Sequence, residues 1–216
     1  MNSPQWEKGK RVSLSFYKKK LRFKEAQFNH PFNLSSYFAP MIGEKRQIMI
    51  ADLGAGIFST IGTRWDTAGI TMYASDLLAD EYAKILTEAD ILPLVPVEKQ
   101  DMEHLTYSEN FFDIVHCTNA LDHCTDPEKA ILEMYRVCKP GGWIYLRHYA
   151  HVGKHQNYCG LHAWNIDAFG ENDCRIWNKK GGFFLSSISS EFRTVSKREM
   201  PYEPENMVVS TLQKPI

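Results

Sequence analysis

The stretch at 47–59, QIMIADLGAGIFS, decides how the rest of the chain reads. Its first seven residues form an apolar run broken by a single carboxylate, the pattern of a strand buried on both faces. Gly54 and Gly56 follow at once, where a sharp turn and close approach of a ligand to the backbone call for residues without side chains. Beyond this strand and turn, short apolar runs keep alternating with longer amphipathic stretches. That alternation marks a parallel sheet with crossover helices.

Working outward, a helix is expected over 58–67 and a second short strand at 71–75. Leu78, Tyr82, Ile85, Leu86 and Ala89 recur at helical spacing and predict a helix over 78–89. A third strand at 92–97 is interrupted by Pro93 and Pro96, which places it at an edge. FFDIVHC at 111–117 reads as the fourth strand. Asp126 as cap, Pro127 at the first helical position and Glu128 near the positive end of the dipole begin the next helix, which Pro140-Gly141-Gly142 stops. WIYLRHY at 143–149 is the fifth strand. Residues 150–182 lack periodicity and suggest a partly ordered lid, with a hairpin around 174–178 closed by Lys179-Lys180-Gly181-Gly182. A short helix at 184–192 precedes strands at 193–199 and 207–213. With only the 201–204 connection between them, these two must pair antiparallel. The expectation is one α/β domain: a seven-stranded, mostly parallel sheet with helices on both faces and an antiparallel terminal strand.

Composition agrees with a single globular domain. The 216 residues are 44% hydrophobic and carry 25 Lys+Arg against 26 Asp+Glu, too apolar and too neutral for a disordered chain. The five cysteines form neither a CxxC pair nor a finger spacing, which fits free thiols in a reducing compartment and a cytoplasmic location. The N-terminus has no apolar segment of a secretory signal, and no stretch suits stable membrane insertion. Charge is distributed unevenly, however. Residues 1–46 hold ten Lys/Arg against three Glu, a net +7, and the remainder is −8. This arm either lies as a solvated helix on its own acidic body or attracts an anionic substrate or membrane surface. No nucleic-acid module is legible in it, so nucleic acid is not the expected partner.

The chemistry starts at Asp52-Leu53-Gly54-Ala55-Gly56. Asp76 ends the second strand, twenty residues after Gly56, where a carboxylate can accept hydrogen bonds from vicinal ribose hydroxyls. Asp101 follows the third strand in KQDME. Three acidic groups at consecutive strand ends converge on the crevice where open parallel sheets bind ligands.

DLGAG at 52–56, SD at 75–76, QDME at 100–103, FFDIVHCTNALDH at 111–123 and RVCKPGGWIYL at 136–146 resemble the ordered motifs of class I S-adenosylmethionine-dependent methyltransferases. The resemblance covers roughly 47–149. It implies a Rossmann-like fold, S-adenosylmethionine as cofactor, and a chain divided into a basic arm or cap (1–46), a cofactor-binding core (47–149), a lid or acceptor segment (150–182) and a C-terminal helix with a strand pair (183–216). Carried over residue by residue, it implies that Asp52, Gly54, Ala55 and Gly56 line the methionine moiety and Asp76 takes the ribose with Leu77 against the adenine. Asp101 and Met102 would meet the adenine edge, and Thr118, Asn119 and Ala120 border the sulfonium. Phe58 stands where the family usually has a third glycine. A dehydrogenase would share the first turn and Asp76, but the KPGG segment and the reversed final strand argue against it. GLHAWN at 160–165 is similar to small bacterial methyltransferases that modify surface sugars.

Methyl transfer is a direct displacement, so positioning supplies much of the rate. Aromatic faces favour the sulfonium charge, making Phe32, Tyr37 and Phe58 candidate walls. A hydroxyl acceptor also needs its proton removed, and histidine is the natural base. His123, just past the fourth strand with Asp122 to orient it, is the first candidate, unless it only caps the loop or stacks on the cofactor. His148 and His151 are the next candidates, on opposite faces of the fifth strand if it continues that far. Tyr158, His162 and Trp164 form a candidate acceptor surface of the kind sugars stack on, or else a lid packed for stability alone. Five histidines fall between 123 and 162, but no spacing matches a metal motif, and no metal is expected. The expected acceptor is a small molecule or a glycan-linked group, anionic if the basic arm recruits it; the alternatives are N-methylation of a small amine and a protein that binds S-adenosylmethionine, S-adenosylhomocysteine or NAD without turnover.

Overall fold

The structure is a computed structural model that describes residues 4–197 and 207–216. Its strands are β1 (Gln47–Leu53), β2 (Gly69–Asp76), β3 (Val97–Lys99), β4 (Phe112–Thr118), β5 (Cys138–Tyr149), β6 (Asn165–Phe169), β7 (Asp173–Asn178), β8 (Gly181–Phe184), β9 (Arg193–Lys197) and β10 (Met207–Gln213). The helices are α1 (Pro4–Phe28), α2 (Ala39–Ile42), α3 (Ala79–Glu88), α4 (Pro127–Val137) and α5 (Val152–His155). Seven strands make the main sheet in the order β3-β2-β1-β4-β5-β10-β9. The first five are parallel, and β10 runs antiparallel to both β5 and β9. The sheet is therefore Rossmann-like with one reversed strand, as the sequence predicts.

Burial follows from the strand period. Ile48 and Ile50 of β1 pack with Ile114, Met41 and Ile42 on the α2 side, whereas Leu53 meets Val115, Leu146, Ile131 and Met134 on the α4 side. Asp126 caps α4 as expected, its carboxylate accepting the Lys129 N–H at 3.1 Å. The hairpin around 174–178 forms, with β6 added to make a small antiparallel sheet in the order β6-β7-β8.

Several expectations are corrected. No helix occupies 58–67. The N–H groups of Thr63 and Arg64 donate to Phe32 O instead of to a preceding turn, and Gly62, at φ +92°, lets the 32–34 segment approach to within 2.6 Å of where a Cβ would sit. The surface such a helix would cover goes to α1, whose Leu14, Tyr17 and Leu21 join Ile57, Phe58, Leu78, Tyr82 and Ile85 in one apolar cluster. The third strand begins only after Pro96, since prolines cannot donate to a ladder, and is confined to Val97–Lys99 at the sheet edge. The helix expected at 184–192 is a single 3-10 turn, Leu185–Ser187. There the Ser187 hydroxyl donates to Phe184 O and the Ser186 hydroxyl to Asp173, bonds that compete with helical pairing. The last two residues of the 193–199 strand and the 201–204 connection lie outside the described residues.

His148, expected near the chemistry, is instead a core residue on β5. It is 1% exposed, and neither ring nitrogen has a hydrogen-bond partner. Burial pushes its pKa down to about 4.

Two predictions follow from this packing. Ile131→Ala, at a fully buried position of α4, should cost about 2–5 kcal/mol in a urea titration, whereas Leu132→Ala, one residue on but 51% exposed, should change stability by less than about 1 kcal/mol. Because His148 stays neutral in the fold, an unfolded chain gains a proton below its ordinary pKa of about 6.5 that the folded chain refuses until about pH 4. His148 should therefore withdraw on the order of 3 kcal/mol of stability across that window and nothing above it. His148→Leu should flatten the fall in unfolding free energy between those pH values by that amount.

Candidate functional site

The tips of β1, β2 and β4 converge beneath α1. Gly54, at φ +73°, closes the turn after β1, and a Cβ there would lie 2.2 Å from the Ala120 Cβ, so the two loops touch only because the side chain is missing. The Asp76 carboxylate accepts the Gly56 N–H at 3.0 Å and the Leu78 N–H at 2.8 Å. Burial raises its pKa, and the two backbone donors oppose that shift. Gly54, Asp76, Leu77, Asp101, Met102, Asn119 and Ala120 all line one cavity of about 110 Å³. Asp101 accepts the Glu103 N–H at 3.0 Å. Asn119, at φ +50°, accepts the Tyr149 N–H at 3.1 Å and so ties the loop after β4 to β5.

Asp52, Ala55, Gly56 and Thr118 are not among the lining residues. Asp52 accepts from the Ser59 hydroxyl at 2.7 Å and pairs with His116 Nδ1 at 2.9 Å, and His116 Nε2 reaches the Thr118 hydroxyl at 3.0 Å. The chain Ser59, Asp52, His116, Thr118 thus braces the turn from within the core. Of the aromatic candidates, Phe58 is buried in the α1 cluster and Tyr37 stacks on Tyr145 at a 4.5 Å centroid distance. Neither lines the cavity.

Sequence reasoning missed the roof. Trp6, Ser13 and Tyr17 of α1 complete the cavity wall, and the Tyr17 hydroxyl lies 2.0 Å from where a Cβ on Gly56 would sit. Burial, then the charges of Asp76 and Asp52, raise the pKa of that hydroxyl. The signal was present: residues 6, 13 and 17 share one helical stripe, spaced i, i+7, i+11. Gly9 on the same helix lets the backbone of Gly160 and Leu161 come within 2.7 Å of a virtual Cβ. Gln5 Nε2 donates to Tyr158 O at 2.8 Å.

A second cavity of about 840 Å³ adjoins the first and shares Trp6, His123, Cys124 and Leu161 with it. Tyr158, Trp164 and Phe183 supply aromatic walls, and Lys179 and Lys180 stand at the hairpin end. Trp164 Nε1 donates to Cys124 O at 2.9 Å and Ala163 N to Asp122 O at 2.9 Å, which clips the 163–164 segment onto the loop after β4.

His123 sits at the junction. Its Nε2 lies 3.5 Å from Asp122 Oδ2 and makes no hydrogen bond. Asp122 is bonded more tightly to His162, whose Nδ1 is 2.7 Å from the same oxygen, and the two rings meet edge to face at 4.9 Å. His162 itself lines neither cavity. Burial alone would raise the Asp122 pKa, but His123 and His162 outweigh it and hold the carboxyl below its ordinary value. Burial also lowers the pKa of His123, against the pull of Asp122. A neutral imidazole beside a charged carboxylate can accept a proton. The donor atoms of Asp122, His123 and His162 lie within 4.8 Å of one another, so the trio could hold a cation only by giving up the bond between Asp122 and His162. His148 lines neither cavity.

The crevice suits an adenosyl ligand: Asp76 offers a carboxylate at the strand tip for vicinal hydroxyls, and Gly54 a turn without a side chain. The comparisons agree. Residues 51–146 match the family profile described as a methyltransferase domain. The ubiquinone/menaquinone biosynthesis C-methyltransferase UbiE of Neisseria meningitidis is 31% identical over 48% of this chain and 40% of its own length. The malonyl-[acyl-carrier protein] O-methyltransferase of Erwinia billingiae is 33% identical over 51% and 41%. The chain thus spans about two-fifths of the length of these curated relatives. Among solved structures, phosphoethanolamine N-methyltransferase 2 of Haemonchus contortus, in complex with S-adenosylhomocysteine, shares the fold at a TM-score of 0.61 with 14% identity, covering 94% of this chain and 58% of that one. Residues 51–146, somewhat under half of the chain, thus match a methyltransferase domain, on a fold shared with a methyltransferase solved in complex with S-adenosylhomocysteine.

Proposed function

We propose that the chain moves the methyl group of S-adenosylmethionine to an oxygen of a small-molecule or glycan-linked acceptor seated in the larger cavity, with His123 as the base. The observation that carries this is the position of His123, which belongs to the walls of both cavities and has a buried nitrogen without a hydrogen bond. The cofactor supplies a methyl group on a positively charged sulfur. In this reading Gly54, Asp76, Leu77, Asp101, Met102, Asn119 and Ala120 hold the nucleoside side, and Asp52, Ala55, Gly56 and Thr118 keep the turn in shape. Tyr158 and Trp164 orient the acceptor against their rings, as sugars and other flat or polyhydroxylated groups allow. His162 acts through Asp122, keeping the carboxylate charged beside His123. The imidazolium that forms when His123 takes the hydroxyl proton then faces a negative neighbour in a buried setting.

Three measurements test the reading. Titration calorimetry should show S-adenosylmethionine and S-adenosylhomocysteine binding and no heat with NAD. Asp76→Asn should weaken the nucleoside by roughly tenfold or more, the loss expected for a charged hydrogen-bond acceptor. No heat and no thermal shift with either nucleoside would sink the proposal. With a hydroxyl acceptor, His123→Asn should lower kcat by about 10²–10⁴-fold while leaving S-adenosylhomocysteine affinity nearly unchanged. If the variant keeps the native rate, His123 is not the base, the result expected of an enzyme that methylates a neutral amine. Because burial lowers the pKa of His123, kcat/KM should stay flat from neutral pH down past about 6.5 and fall only below it.

A further inference from the structure

The inner face of α1 is committed to the domain, but its outer face is not. Val12, Phe16 and Phe23 are 61%, 48% and 63% exposed. At 3.6 residues per turn the three side chains fall within an arc of about 40°, an apolar stripe over residues 12–23 of a helix roughly 37 Å long, with Lys19 set into its edge between the two rings. Lys8 and Lys19 flank the stripe on one side and Lys20 on the other, with Arg11 and Arg22 further round. The helix carries eight Lys/Arg against Glu7 and Glu25. Lys10 and Lys18 are spent on Glu81 and Glu88 of α3, and Arg22 pairs with Glu25. Lys8, Arg11, Lys19 and Lys20 are turned outward, on a body that is otherwise net negative. Among the described residues no helix is long and apolar enough to cross a membrane.

We propose that the outer face of α1 docks on an anionic lipid bilayer, with Phe16 and Phe23 seated at the headgroup level and the surrounding cations against lipid phosphates. Charge complementarity selects a polyanionic surface, and the apolar stripe selects one with a hydrocarbon interior beneath its charge. Phosphates alone reward the lysines but leave two phenyl rings and an isopropyl group in water. Gln5, which falls on the side of the exposed stripe, lines the larger cavity, so docking this face sets one rim of that cavity beside the bilayer. The acceptor class that follows is one held at a membrane surface. That last step rests on the methyl-transfer reading; the docking itself does not.

The test uses the full chain and vesicles of phosphatidylcholine with or without roughly one-third phosphatidylglycerol. Co-sedimentation should occur with the anionic vesicles at low salt, be absent with phosphatidylcholine alone, and decline as salt is raised. Lys19→Ser with Lys20→Ser should weaken it roughly 30-fold, and Phe16→Ser with Phe23→Ser at least tenfold. All four positions are exposed and outside both cavities, so calorimetric affinity for S-adenosylhomocysteine and the unfolding midpoint should stay at native values. Failure to bind anionic vesicles, or variants that bind as the native chain does, would overturn the assignment. So would duplex DNA binding more tightly than the vesicles and unaffected by the phenylalanine changes. Loss of vesicle binding with intact nucleoside binding, or the reverse, separates this proposal from the enzymatic one.

Discussion

The site depends on one half-buried carboxylate. Asp76 ends β2, yet its two oxygens are bonded to the N–H of Gly56, in the turn after β1, and of Leu78, in the turn before α3. A carboxylate moved out of water is tolerated only when donors replace the lost hydration, and here the donors are the backbone groups whose placement shapes the crevice. The same bonds that satisfy the charge therefore fix the two loops relative to each other. A ligand hydroxyl arriving there meets an acceptor already oriented, with lone pairs to spare.

This constraint explains why the turn after β1 can do without a helix of its own. With Gly56 held by Asp76, and Asp52 held by Ser59 and His116, the stretch from 54 to 68 is pinned at its start, and its later N–H groups go to Phe32. The apolar surface left open beside Ile57 and Phe58 is covered by α1. The ion pairs of Lys10 and Lys18 with α3 are partly exposed and contribute little individually. What holds α1 is the apolar cluster around Leu21, Tyr82 and Ile85, together with the close contact that Gly9 permits at Gly160 and Leu161.

The alternation of periods made the central strands legible. β1, β4 and β10 are buried along most of their length, and nothing competes with a strand for QIMIADL, FDIVHCT or MVVSTLQ. The start of α4 was equally readable, because Asp126 and Pro127 act through local geometry alone. The segments misread were those where tertiary contacts decide. At 58–67 the helical pattern was outvoted by Phe32, and at 184–192 serine hydroxyls took the bonds a helix would need. The strand tips of the site could be read because a parallel sheet dictates where its loops gather. The pairing of Asp122 with His162 could not, since forty residues separate them and only the folding of the 163–164 segment onto the 122–124 loop brings the ring and the carboxylate together.

The two cavities differ in a way that follows from this construction. The inner one, at about 110 Å³, falls below the roughly 300–1,000 Å³ of ordinary ligand pockets, while the outer one, at about 840 Å³, lies within that range. The difference is made by α1, whose Tyr17 fills the space before Gly56. The wall that closes the inner cavity is thus also a wall of the outer one, through Trp6 and through Leu161, on which Gly9 rests. A displacement of the first half of α1 that admits a nucleoside must therefore reshape the acceptor side as well. The element the two cavities have in common is thus the start of α1, held against the 160–161 backbone at Gly9.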